Sequence, residues 1–160
     1  MEAEAIGFED FSRGEYETLL RAMYLISGDR FEAEELAQGA FVKAWERWDR
    51  IGSMQNPSGY LYRTAVNARR SALRRVGLAA RRAVSLPHSD PISESDDRDR
   101  IRRALATLPA NQREAIVLVD WLGLSDIEAG EALGISPGAV RVRISRARAS
   151  LRLLIERASA

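Results

Sequence analysis

Apolar residues recur along this chain at three- and four-residue spacing, and the two-residue alternation of a half-buried strand is almost absent. That pattern predicts an all-α chain. Phe8, Phe11, Tyr16, Leu19, Leu20, Met23 and Tyr24 predict one or two helical segments between Phe8 and Ser27, broken by Gly28 and Asp29. Asp29 with Glu32 three residues later is a capping-box start for a helix from Arg30 to about Trp48. Its expected inner face is Ala33, Leu36, Ala37, Ala40, Phe41, Ala44 and Trp48. A loop over Asp49–Asn56 precedes Pro57, which opens a third helix to about Val76 with Leu61, Ala65, Ala68 and Ala72 inside.

The segment from Gly77 to Asp97 reads as a flexible linker, because Pro87, Pro91, three serines and Asp96–Asp97 cannot build a core. Fully extended, some 20 residues span on the order of 65 Å, so the halves need not touch. The expected division is residues 1–76, a linker over 77–98, and 99–160. In the second half, Leu105 and Leu108 end one helix before Pro109, and Ile116, Val119 and Leu122 stripe another that Gly123 closes.

The last 35 residues carry the sharpest local signal. Ile127, Gly130 and Leu133 give a short helix one apolar or small face, and Gly134 stands where a helix ends with positive φ. Ile135 plugs the turn, Ser136 is an N-cap, and Pro137 fits the first helical position. The next helix buries Val140, Ile144, Ala147, Leu151 and Leu154. It leaves Arg141, Ser145, Arg148 and Arg152 on one stripe and Arg143 with Arg146 on another. This is a helix-turn-helix, in which the second helix can enter the major groove and arginine can pair with guanine or grip phosphates. An arginine stripe alone is usually just a solvated face. The turn and cap before it favour DNA.

Charge extends that reading to a second place. The net charge of +1 is strongly segregated: residues 1–50 hold six basic and twelve acidic groups, residues 51–88 seven arginines and no acid, and residues 136–160 six arginines and one acid. Two cationic blocks separated by acidic ones suggest two contacts with nucleic acid, and the acidic blocks suit a protein partner or solvent. On the third helix Arg63, Asn67, Arg70 and Arg74 share a stripe. The chain has no cysteine and one histidine, His88, set among prolines, serine and aspartate, so neither disulfides nor a metal site is expected. No apolar run approaches the roughly 20 residues of a membrane span, and the acidic start is unlike a signal peptide, so a soluble cytoplasmic protein is expected. No nucleophile–base set, phosphate loop or inward carboxylate pair suggests an enzyme or a cofactor.

Two blocks give a more specific resemblance. Ala33–Trp45 (AEELAQGAFVKAW) followed by Asn56–Arg75 (NPSGYLYRTAVNARRSALRR) resembles region two, and Leu108–Arg152 resembles region four, of extracytoplasmic-function (ECF, group four) sigma factors of bacterial RNA polymerase. The resemblance implies binding to core polymerase at the β′ clamp and β flap, promoter DNA as substrate surface, and an anti-sigma factor as a further candidate partner. It implies clamp contacts at Glu34, Glu35, Leu36, Gln38 and Phe41, of which Leu36 and Phe41 equally suit the core. It implies minus-ten contacts at Asn56, Tyr60, Arg63, Asn67, Arg70 and Arg74, with a base pocket at the 49–56 loop and Tyr60 or Tyr62 stacking on bases. It implies minus-thirty-five contacts at Ser136, Ala139, Arg141, Val142, Arg143, Ser145 and Arg146, with Arg148 on phosphate. The chain departs from the family pattern at Val66, often basic, at Ser71, often acidic, and at Ala139 and Val142, more often Thr and Ser. A helix-turn-helix regulator that acts without core polymerase is the alternative; it would have no use for the separate basic helix. A purely structural helical adaptor would not explain the segregated arginines.

Overall fold

The computed structural model describes residues 6–82 and 96–160; His88 and the serine- and proline-bearing segment fall outside them. Every regular element among the described residues is helical. Helix α1 (Phe8–Ser27) and α2 (Arg30–Glu46) form a hairpin whose turn is two residues long. Gly28 takes φ 72° and returns its N–H to Tyr24, and the Asp29 carboxylate accepts from the N–H groups of Phe31 and Glu32. Gly28 is thus needed for its left-handed conformation and Asp29 for two otherwise orphaned donors. Four alanines, Ala33, Ala37, Ala40 and Ala44, line the buried side of α2 and let α1 and α4 approach closely. Glu32 does not complete the expected capping box but pairs with Arg69.

Helix α2 ends at Glu46, two residues before Trp48, which instead starts a single turn, α3 (Trp48–Ile51), inside the expected loop. The cause is aromatic packing: Phe8 and Phe11 lie 5.4 and 4.8 Å from the Trp48 ring, and Ile51 is fully buried beneath. Helix α4 (Pro57–Arg82) runs six residues past the expected end at Val76, so residues 77–82 are helix rather than linker. Ser58 and Tyr62 both donate to the Glu15 carboxylate and tie α4 to α1. Burial and that carboxylate push the Tyr62 hydroxyl well above its ordinary pKa. Tyr62 is therefore a core residue, not a stacking platform.

Helix α5 (Asp96–Ala106) leads to α6 (Ala110–Ile116), which continues as a π-helical turn over Val117–Trp121. Leu122 donates to the Val117 carbonyl at 3.0 Å, the five-residue step that defines the turn. Helices α7 (Asp126–Leu133) and α8 (Pro137–Ala158) complete the chain. Arg113 joins the pieces: its guanidinium donates to the carbonyls of Leu105 (3.0 Å), Leu108 (2.9 Å) and, across the two halves, Ile26 (3.2 Å). Burial lowers its pKa.

The halves pack on each other through one continuous core. Helix α1 meets the π-turn and α4 meets α7. Arg69 bridges Glu32 of α2 and Glu114 of α6 at 3.2 and 3.3 Å, and the Arg21 guanidinium lies 4.9 Å from the Trp121 ring centroid.

Candidate nucleic-acid interface

The helix-turn-helix is built by local capping. Ser125 accepts from the Glu128 N–H at 3.0 Å while the Glu128 carboxylate accepts from the Ser125 N–H at 3.1 Å. Those hydrogen bonds hold the Glu128 carboxyl below the usual carboxylate range. Gly134 ends α7 at φ 69°. Gly130 has a different reason to be glycine: a Cβ there would stand 2.7 Å from the Ile135 carbonyl oxygen. Ser136 caps α8 by accepting from Ala139 N–H at 3.1 Å, and Pro137 occupies the first turn. Val140, Ile144 and Ala147 are buried, as spaced, and Leu151 and Leu154 are half-buried. Ile127 was expected on the inner face of α7 and is 59% exposed; Ala129, Gly130, Ala132 and Leu133 supply that face instead.

On α8, Ser136, Arg141, Val142, Ser145, Arg146 and Arg148 are exposed, and Ala139 and Arg143 are half-buried. The arginines differ in their partners. Arg141 donates through Nη1 to Asp126 of α7. Arg148 lies side-on to Asp120, Nε to Oδ2 at 3.1 Å and Nη2 to Oδ1 at 2.6 Å, and the carboxylate raises its pKa. Arg143 and Arg146 make no ion pair among the described residues.

The α4 residues separate into two groups. Asn56 donates to Glu128 at 2.7 Å, Arg63 to Glu131 at 2.5 Å and Arg70 to the Leu133 carbonyl, so α7 covers all three. Asn67 and Arg74 are exposed, and Tyr60 is half-buried. They line a groove of about 820 Å³ between α2 and α4, together with Lys43, Glu46, Arg47, Ser71 and Arg75. Arg47 donates to the Tyr60 hydroxyl at 3.2 Å and fixes that ring in the wall. The groove therefore lies beside the 49–56 segment rather than over it. Lys43 and Arg47 were missed in the sequence because they sit on α2 and at its C-cap, outside the basic block. Val66, where a basic residue was expected from the family, is buried in the core.

The outer face of α2 is the third surface. Glu35 and Gln38 are exposed, Glu34 pairs with Arg30 at 3.2 Å, Leu36 is half-buried, and Phe41 turns inward against Tyr16 at 5.8 Å between ring centroids. Phe31, Val42 and Trp45, at 76, 54 and 65% exposure, complete the stripe of Glu35 and Gln38. Sequence reading passed them over, although each lies opposite the alanine ridge and was legible from spacing alone. A helix apolar on both faces, with one face open, is a contact surface waiting for a partner.

Comparison with known proteins fits this geometry. Residues 13–78 match the family model of sigma-70 region 2 and residues 98–151 that of sigma-70 region 4. The chain is 32% identical over 156 residues to an RNA polymerase sigma-E factor of Streptomyces avermitilis, covering 96% of this chain and 87% of the relative. Among solved structures, it resembles the sigma factor RpoE of Bartonella quintana, crystallised with the anti-sigma factor NepR, at TM-score 0.70 and 29% identity over 92% of this chain and 98% of that one. It also resembles CnrH in complex with the cytosolic domain of CnrY, at TM-score 0.62 and 28% identity over 93% and 87% of the two chains. None of the described helices is long and apolar enough to cross a membrane. With both sigma regions present in order and a relative matched over nearly its whole length, the chain belongs to the ECF family of RNA polymerase sigma factors.

Proposed function

We propose that this chain binds core RNA polymerase and directs promoter-specific initiation, with residues 1–76 engaging polymerase and the minus-ten element and residues 99–160 reading the minus-thirty-five element. One observation carries the reading: two separate cationic surfaces, on α4 and on α8, stand on the same chain as an uncovered apolar and acidic face of α2. The α2 stripe of Phe31, Glu35, Gln38, Val42 and Trp45 has the mixed character of a protein contact and suits the β′ clamp. Region four is assigned the β flap by family likeness.

The mostly basic and polar lining of the α2–α4 groove, with Glu46 as its acidic member, suits a single strand. Lys43, Arg47 and Arg74 supply cationic contacts, and Tyr60 supplies a ring edge and hydroxyl. Unstacking a base costs a few kcal/mol, which such contacts offset. Arg63 and Arg70 join this surface only when α7 is withdrawn from them. The protein's part is binding, and polymerase carries the chemistry. NepR and the cytosolic domain of CnrY bind the matched relatives, and an anti-sigma factor is correspondingly a partner class for this chain.

Transcription by core polymerase with and without this chain, on a randomised promoter library, tests the function. The chain should enrich templates with two spaced elements. Absence of promoter-dependent initiation overturns the reading and favours a regulator acting without polymerase, for which the open α2 face has no use.

A further inference from the structure

The two α8 arginines that have carboxylate partners are held in different ways. Asp126 opens α7, and its side chain is two-thirds buried. Its Oδ1 accepts from the Ile127 N–H at 3.0 Å, which fixes the carboxylate and directs Oδ2 to Arg141. Only Nη1 of Arg141 is engaged. The side-on fork, Nε with Nη2, remains free. Arg141 is the fifth residue of α8, in the part of a recognition helix that meets base edges. At Arg148 the fork itself is consumed, Nε and Nη2 both donating to Asp120, seven residues further along. Either open pair of donors, side-on at Arg141 or end-on at Arg148, can match O6 and N7 of guanine, so position along α8 decides: Arg141 lies in the first turns, which meet base edges, and Arg148 lies two turns beyond it.

We propose that Asp126 is a specificity-determining positioning residue: it holds Arg141 with its side-on donors free to read one guanine of the upstream element. This inference rests on the promoter function proposed above. Pairing has a second effect in the same direction. A guanidinium beside a carboxylate carries little net charge, so it adds little attraction to phosphates on arbitrary sequence. Arg143 and Arg146, which have no such partner among the described residues, supply the sequence-independent grip. The rotamer freedom that an exposed arginine would lose on binding a base is partly lost beforehand, because Asp126 has already oriented it.

The test is promoter-library transcription by core polymerase with the full chain in four forms: wild type, Arg141→Ala, Asp126→Ala and the double variant. The wild type should prefer guanine at one upstream position. Arg141→Ala should lose that preference about tenfold, the lower part of the range for a bidentate pair. Asp126→Ala should lose preference at the same position, with unchanged or tighter binding to unselected DNA, and the double variant should lose no more than either single one. Thermal unfolding separates this from misfolding, because the Ser125–Glu128 capping box still holds the start of α7 in Asp126→Ala. Retained guanine preference in Asp126→Ala overturns the proposal. So does a loss at a different position from that of Arg141→Ala, or an equal weakening on every sequence. A wild type that selects two elements but no such guanine overturns this inference alone; a wild type that selects nothing overturns the promoter reading with it.

Discussion

Arg63 of α4 and Glu131 of α7 form an ion pair, Nη1 to Oε2 at 2.5 Å, that joins the two halves of the molecule across the surface assigned to the minus-ten strand. A phosphate and the Glu131 carboxylate would compete for the same donor. Removing the acid should therefore help DNA binding. Both side chains are substantially exposed, so the pair contributes at most about 1 kcal/mol. Glu131→Ala is expected to tighten binding of a fluorescent minus-ten single strand by no more than about fivefold, read by anisotropy. Weaker binding would mean that Glu131 assists the strand.

The α2 stripe separates stability from affinity. Phe31 and Trp45 are exposed, so Phe31→Ala and Trp45→Ala should move the unfolding free energy by no more than about 0.5 kcal/mol. As apolar anchors of an interface each should cost about 2 kcal/mol of binding to core polymerase, roughly thirtyfold in Kd. Titration of labelled core with each variant measures this. Unchanged affinity for both would exclude the stripe from the contact.

Gly130→Ala places a methyl group 2.7 Å from the Ile135 carbonyl, and that neighbour is backbone, not a flexible side chain. The turn between α7 and α8 must shift. The expected loss is about 1–3 kcal/mol in denaturant unfolding, the usual range for overpacking. Promoter discrimination should fall with it, because the turn sets the angle of α8. A variant of wild-type stability would show that the turn has room to move.

Glu128 gives the molecule an acid dependence. Its folded pKa lies below the ordinary carboxylate value because the Ser125 N–H and the Asn56 amide favour the ionised form. A lowered folded value means that its contribution is fully present above the unfolded pKa, about 4.3, and is lost as pH falls through the folded value. Denaturation midpoints of the wild type should fall on acidification below pH 5 by more than those of Glu128→Gln. Parallel curves would remove Glu128 from the acid response.

Much of this fold was legible in the sequence. Helix identity followed from spacing, and the α7–α8 turn from Gly134, Ser136 and Pro137, because capping is local chemistry. What spacing could not supply was the third dimension. Trp48 left α2 because Phe8 and Phe11, some forty residues away in sequence, pack edge-on and tilted against it. Gly130 and Leu133 are buried as spaced, but Ala129 and Ala132 complete that face and Ile127 lies outside it. The arginine stripe of α4 looked uniform, yet α7 covers Arg63 and Arg70 and leaves Arg74 open. Long-range pairing of charged side chains leaves no periodic trace, so neither that division nor the contact between the halves could be read beforehand.

The π-turn over Val117–Trp121 sets the aim of everything after it. One residue more than an α-helix would use is accommodated there, and α7 and α8 follow. Each residue of an α-helix turns the chain by about 100° and advances it by about 1.5 Å. Deleting a single residue between Val117 and Trp121 would leave the recognition helix intact, with every arginine in place and every cap satisfied, but facing a different direction. The reader's sequence would be whole and its alignment with the promoter lost.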